Sequence, residues 1–127
     1  MMTVNFRAAF LFMREAFRQM GPRGSGHIVN VVSTVALFSN PGLGGYTASK
    51  WALEGLTKVL RKEAKASGIK VTSVHPGGTD TPFRPADRPE YMSPETVAQA
   101  IVSVLTLPDD AVVHDLVLRP AAEDNFV

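Results

Sequence analysis

The chain has 127 residues, of which 45% are hydrophobic and 20% charged, and carries a formal net charge of +1; this fits a single compact domain over 1–127 and excludes a disordered chain or a basic nucleic-acid binder. It contains no cysteine, so disulfides, thiolate metal sites and thiol redox chemistry are excluded, and a reducing cytoplasm is the expected compartment. No apolar run reaches the roughly 18 residues of a membrane span, so neither nucleic acid nor a membrane is an expected partner.

In chain order, residues 3–20 repeat Phe6, Phe10, Met13, Phe17 and Met20 at steps of three and four, with Val4, Ala8, Leu11 and Ala16 on a second face. This predicts a helix buried on more than one side. Its three Arg against one Glu faintly resemble a transit peptide, but the periodicity reads as a packed helix. "GPRGSG" is a loop, and "HIVNVVS", residues 27–33, is a β-branched run expected to form a strand buried on both faces. After the irregular "TVALFSNPGLGG", residues 46–66 read as a helix with Trp51, Leu53, Leu56, Val59 and Leu60 as its apolar surface and Gly68 as its stop. "IKVTSVH", residues 69–75, is a second buried strand, followed by "PGG" and a proline-rich loop over 79–92. Ser93 is a helix cap with Pro94 at the first helical position, Ile101, Val104 and Leu105 are expected to face inward, and "DLVLRP" is a third strand. Helix, strand, helix, strand, helix, strand is the order of an α/β fold with three parallel strands and crossover helices. The first strand's apolar run expects a neighbour on each side, and the sequence supplies only one.

Two residues four apart in a helix share a face, so Tyr46 and Lys50 point the same way. A free phenol has a pKa near 10, and a nearby ammonium lowers it toward the range useful for general acid-base work. Ser33 ends one strand and "HPGGTDT" ends the next, both at the carboxyl edge of the sheet, where open α/β sheets bind ligands. The glycines there permit close backbone approach, while Thr79 and Thr81 offer hydroxyl and amide donors. His27, His75 and His114 stand singly without ligand spacing, so no metal site is expected.

These residues together resemble the carboxyl-terminal part of a classical short-chain dehydrogenase/reductase. The resemblance runs nearly end to end, through "VNF" with Asn5, "IVNVVS" with Ser33, "YTASK" with Tyr46 and Lys50, and "HPGGTDT". It implies a partial Rossmann-like fold and hydride transfer between NAD or NADP and a small alcohol or carbonyl substrate. It further implies a catalytic set of Asn5, Ser33, Tyr46 and Lys50. Tyr46 would exchange the proton, Lys50 would tune it and bond the nicotinamide ribose, Ser33 would hold the substrate oxygen, and Asn5 would hold a relay water behind Lys50. Tyr46, Lys50, Pro76, Gly77, Thr79 and Thr81 would bind the nicotinamide side of the cofactor. Arg84, Asp87, Arg88 and Glu90 lie in the loop that covers the substrate in that family.

A family member also has a Gly-rich βαβ unit that seats the cofactor phosphates. This sequence carries none, so the expectation is a fold lacking that N-terminal half, with the choice between NAD and NADP unreadable. The short loop after Thr81 favours a small or accessible carbonyl substrate, and the ending "VVHDLVLRPAAED" resembles members acting on small hydroxy acids and related alcohols. The resemblance also implies a homo-oligomer formed through helices 3–20 and 46–66. A second reading is a non-catalytic remnant that keeps those helices as a dimerisation or interaction module.

Overall fold

The computed structural model describes residues 1–124, so the last three residues of the expected span 1–127 lie outside the described residues. A π-helical opening, Thr3–Ala8, runs directly into α1, Ala9–Met20. Then follow β1, Gly26–Val31, α2, Gly44–Ala64, β2, Ile69–Pro76, α3, Pro94–Leu105, and β3, Asp115–Leu118. The strands form one sheet in the order β1-β2-β3, all parallel, with Val31 opposite Val74 and Pro76 opposite Leu118. Element order and parallel pairing are those expected of crossover connections.

The predicted boundaries shift by a few residues. The helix expected from residue 46 begins at Gly44 and ends in a single 3-10 turn, Lys65–Ser67. Gly68 stops it at φ 71°, and any Cβ there would run into the carbonyl oxygen of Gly24, so glycine is required twice over. Ser93 caps α3 as expected, its Oγ accepting the Thr96 amide at 3.2 Å.

The core lies between the sheet and the two long helices, built from Met13, Ile28, Leu53, Leu60, Ala64 and Val71. Four burial expectations fail here. The helix over 3–20 is not buried on more than one side: Met13 is its one buried residue, and Val4, Phe10 and Leu11 are exposed, because it meets β1 and α2 with one side only. The α2 face turned inward is Ser49, Leu53, Thr57, Leu60 and Ala64, with Glu54 beside it. Their spacing of three and four is one helical stripe, and Trp51 and Val59, off that stripe, are half exposed. In α3 only Val104 of the three expected residues is buried, and Leu105 is exposed. Strand β1 is not buried on both faces: Ile28 is its one buried residue. It is an edge strand, with no partner beyond it among the described residues.

Leu53 and Val59 are therefore a matched test of that helical phase. Leu53→Ala is expected to cost about 3 kcal/mol in urea denaturation, and Val59→Ala no more than about 0.5 kcal/mol.

Candidate active site

The parallel pairing brings the carboxyl ends of β1 and β2 to one edge, and the segments that leave them wall a cleft of about 590 Å³. Ser33, Tyr46, Lys50, Pro76, Gly77, Thr79 and Thr81 all line it. Asn5 does not.

Ser33 leaves β1 in extended geometry and caps a short 3-10 turn, Thr34–Ala36. Its Oγ accepts the Val35 amide at 3.2 Å, which uses a lone pair and leaves the hydroxyl proton to donate. Tyr46 and Lys50 occupy the first two turns of α2. Lys50 Nζ donates to the Val31 carbonyl at 3.1 Å and stands 5.9 Å from the centre of the Tyr46 ring. The strand end thus anchors the ammonium beside the phenol. Burial pushes the Lys50 amine below its ordinary value of 10.5, because desolvation disfavours the charged form.

Asn5 sits in the π-helical opening, a geometry often found at functional sites. Its Nδ2 donates to Ser49 Oγ at 3.0 Å, and Ser49 Oγ donates to the Tyr46 carbonyl at 2.7 Å. The side chain expected behind Lys50 is bonded instead to the residue before it, and so braces the first turn of α2. Trp51, a turn further on, ties α2 to the 3-10 turn, its indole N–H donating to the Val35 carbonyl at 3.0 Å.

The segment after β2 is held by the chain itself. Gly77 N–H donates to the Leu118 carbonyl and Gly78 N–H to Glu123 Oε1, both at 2.8 Å. A Cβ on Gly77 would meet Glu123 at 2.6 Å, and one on Gly78 would meet Glu123 and the Tyr91 ring at 2.8 Å. The glycines expected to admit a ligand thus first admit these two side chains. Thr79 forms an isolated parallel bridge to Met92 through the flanking Gly78 carbonyl and Asp80 amide. The N–H and C=O of Thr79 itself take no part in it.

Two residues escaped the sequence reading. Phe83, 82% exposed, leans on Tyr46 with ring centres 6.2 Å apart. Glu123 lines the cleft and is bound to Arg119 at 3.1 Å. A lone aromatic in a proline-rich loop and a carboxylate near the chain's far end carry no local signal. In the mixed-charge loop, Arg84 also lines the cleft and lies over the Tyr91 ring, whereas Arg88 faces Glu90 at 3.8 Å.

The cleft with its serine, tyrosine and lysine lies outside the carboxyl ends of parallel strands, where open α/β sheets bind ligands. The comparisons give the class: the family model for short chain dehydrogenase matches residues 1–91, and the chain belongs to that family. An uncharacterized oxidoreductase of Staphylococcus aureus (strain MW2) is 32% identical over 124 residues, covering 94% of this chain and 53% of its own. An alcohol dehydrogenase from the archaeon Thermococcus sibiricus, solved with 5-hydroxy-NADP, superposes with a TM-score of 0.90 at 26% identity, over 100% of this chain and 55% of that one. Acetoin dehydrogenase from Enterobacter cloacae gives a TM-score of 0.77 at 31% identity, over 92% and 51%. The chain spans about half the length of the relatives it matches. No helix among the described residues is long and apolar enough to cross a membrane.

The lowered Lys50 value has a defined sign. The folded chain releases this proton more readily than the unfolded chain, so the charged amine costs stability, and that cost fades as pH rises from the folded value to 10.5. Lys50→Met has no such proton to lose. The stability of the natural chain relative to Lys50→Met is expected to rise across that alkaline window, and a flat difference in denaturant melts would contradict it.

Proposed function

We propose that this chain carries the acid-base and nicotinamide side of an NAD- or NADP-dependent oxidoreductase acting on a small alcohol or carbonyl compound. The observation that supports the reading most is the convergence of Ser33, Tyr46, Lys50, Thr79 and Thr81 on one cleft. A bound nicotinamide cofactor supplies the hydride chemistry. The residues present fit its nicotinamide end. Thr79 offers an N–H and a C=O not used in its bridge to Met92, a donor-acceptor pair complementary to a carboxamide. Pro76, Gly77 and Thr81 complete that wall, and Lys50 supplies a cation for ribose hydroxyls.

In the reducing direction, the Ser33 hydroxyl donates to the substrate carbonyl oxygen and holds it near Tyr46. As the carbonyl carbon gains a hydride, the Tyr46 hydroxyl passes its proton to that oxygen, giving the alcohol. The Lys50 ammonium, anchored by Val31, stabilises the negative charge left on the phenol oxygen, and the open cleft returns a proton from solvent. Asn5 acts through Ser49, holding the first turn of α2 in place.

The apolar surface shared by α1 and α2 favours a second reading, a non-catalytic module that pairs with its own copy. Phe10, Met13, Phe17, Leu56 and Leu60 line an apolar groove between α1 and α2, and Phe12, Trp51 and Val59 are exposed on the same helices, so a homodimer through both helices is part of either reading.

Two measurements separate the readings, and a third tests the pairing common to both. The 127-residue chain is titrated with reduced nicotinamide mononucleotide, NADH and NADPH by fluorescence, and its carbonyl reduction is assayed. Tyr46→Phe is expected to lower turnover by about 100-fold or more with cofactor binding retained; unchanged turnover refutes the proton donor. Absent nucleotide binding supports the module. Sedimentation is expected to give a dimer that Phe10→Glu converts to a monomer, and a monomeric natural chain would remove the pairing from both readings.

A further inference from the structure

Away from the cleft, Glu54 of α2, His75 of β2 and Asp115 of β3 meet at one point, their ligand-capable atoms all within 4.8 Å of one another. His75 Nε2 lies 3.7 Å from Glu54 Oε2 and 3.5 Å from Asp115 Oδ1, too far for hydrogen bonds. Glu54 and His75 are buried at 2% and 0% exposure. Neither Nε2 nor either Glu54 oxygen makes a hydrogen bond among the described residues. Buried polar atoms left in that state are costly, and Nε2 and Glu54 Oε2 face one another beside Asp115 Oδ1.

The other ring nitrogen fixes the tautomer. His75 Nδ1 lies 3.1 Å from the Ser33 carbonyl oxygen, which can only accept, so Nδ1 carries a proton. In neutral His75 the Nε2 lone pair then points into the gap between two carboxylates. An imidazole whose second nitrogen donates to a backbone carbonyl is the arrangement that orients metal-ligating histidines.

We propose that Glu54, His75 and Asp115 bind one divalent transition-metal ion, zinc by the chemistry of the donors. One imidazole nitrogen with two carboxylates suits zinc, whereas magnesium and calcium take oxygen alone. Tetrahedral zinc with bonds of about 2.0–2.1 Å sets its ligands roughly 3.4 Å apart, so the 3.5 and 3.7 Å separations from His75 need to close by only a little, and the two carboxylates, within 4.8 Å of each other, set how far the side chains move. The Asp115 side chain is 45% exposed, which leaves an entry path and a fourth position for water. The sequence gives no hint of the site because each ligand comes from a different element.

Two cations stand near it. Arg61 Nη2 is 3.6 Å from Asp115 Oδ1 but is held by the His114 carbonyl at 2.6 Å and Ser73 Oγ at 3.3 Å, so it remains an outer partner that orients Asp115. Lys58 Nζ is 3.6 Å from Glu54 Oε1 on a largely exposed side chain, and stays with that oxygen while Oε2, the one facing His75, takes the ion. The competing occupant is a second proton on His75, which would bridge the carboxylates and keep the metal out. A bound ion would tie α2, carrying Tyr46 and Lys50, to β2 and β3, and through Nδ1 to the carbonyl of Ser33.

The test uses tag-free chain freed of metal with a chelator and titrated with cobalt(II), then zinc(II). The expected result is a visible tetrahedral cobalt band, its displacement by a single zinc per chain, and a higher melting temperature with zinc. Asp115→Asn, at the exposed ligand, keeps the fold by circular dichroism and weakens zinc by about tenfold or more; Glu54→Gln abolishes the band. No cobalt band together with no zinc-dependent melting shift overturns the proposal, as does zinc affinity unchanged in Asp115→Asn. An Nε2 proton that persists in nitrogen NMR with zinc present identifies the proton as occupant and also overturns it.

Discussion

The seating of α2 on the sheet is the contact on which the rest of the molecule depends. Leu53, Leu60 and Ala64 press into the core beside Ile28, Val71 and Met13, and burial of that apolar surface fixes the rotation of the helix about its axis. Rotation is what the first two turns inherit. Tyr46 and Lys50 project into the cleft because Leu53, seven residues after Tyr46, is turned toward the strands. A change of phase that exposed Leu53 would move both polar side chains off the cleft.

The same face carries polar side chains that specify the seating more narrowly than apolar contact does. Thr57 Oγ1 donates to the Leu53 carbonyl at 2.7 Å and accepts from Asn30 Nδ2 at 2.9 Å, which locks α2 to β1 at one height. Ser49 does the equivalent nearer the cleft, between Asn5 and the Tyr46 carbonyl. A buried hydroxyl stranded by a slip of α2 would lose its partners, so sliding costs free energy that a purely apolar face would not impose. Asn5 belongs to this set of locks, and its position in the π-helical opening puts its amide on the α2 side.

What could be read from sequence follows from how local each feature is. The shared face of Tyr46 and Lys50 needs nothing beyond helical periodicity, and the strand-end position of Ser33 needs only the end of a β-branched run. The parallel order followed from alternating elements. Burial along α2 was misread at Trp51 and Val59 because hydropathy does not reveal which of two apolar stripes the sheet will choose; Ser49 and Thr57, small enough to fit and able to bond the backbone, lie on the chosen one. Glu123 against Gly78 and Phe83 against Tyr46 depend on contacts between distant segments or on loop path, which no periodicity encodes.

His75 joins the two regions of interest, since its backbone stands just before Pro76 at the cleft wall and its Nδ1 bonds the Ser33 carbonyl. Ser33 is therefore held on both sides, by Val35 at its hydroxyl and by His75 at its carbonyl. Whatever occupies the gap beyond Nε2, proton or metal, acts on the ring that holds this carbonyl. The nearest response is not a change in charge at the cleft, which Coulomb attraction across a partly solvated protein would weaken, but a change in how firmly the backbone of Ser33 is fixed. In the proposed reaction the Ser33 hydroxyl would be sensitive to that kind of play, because small displacements of a positioned donor cost much of its effect. Glu54, on the helix that carries Tyr46 and Lys50, gives the same ring a hold on the other half of the site.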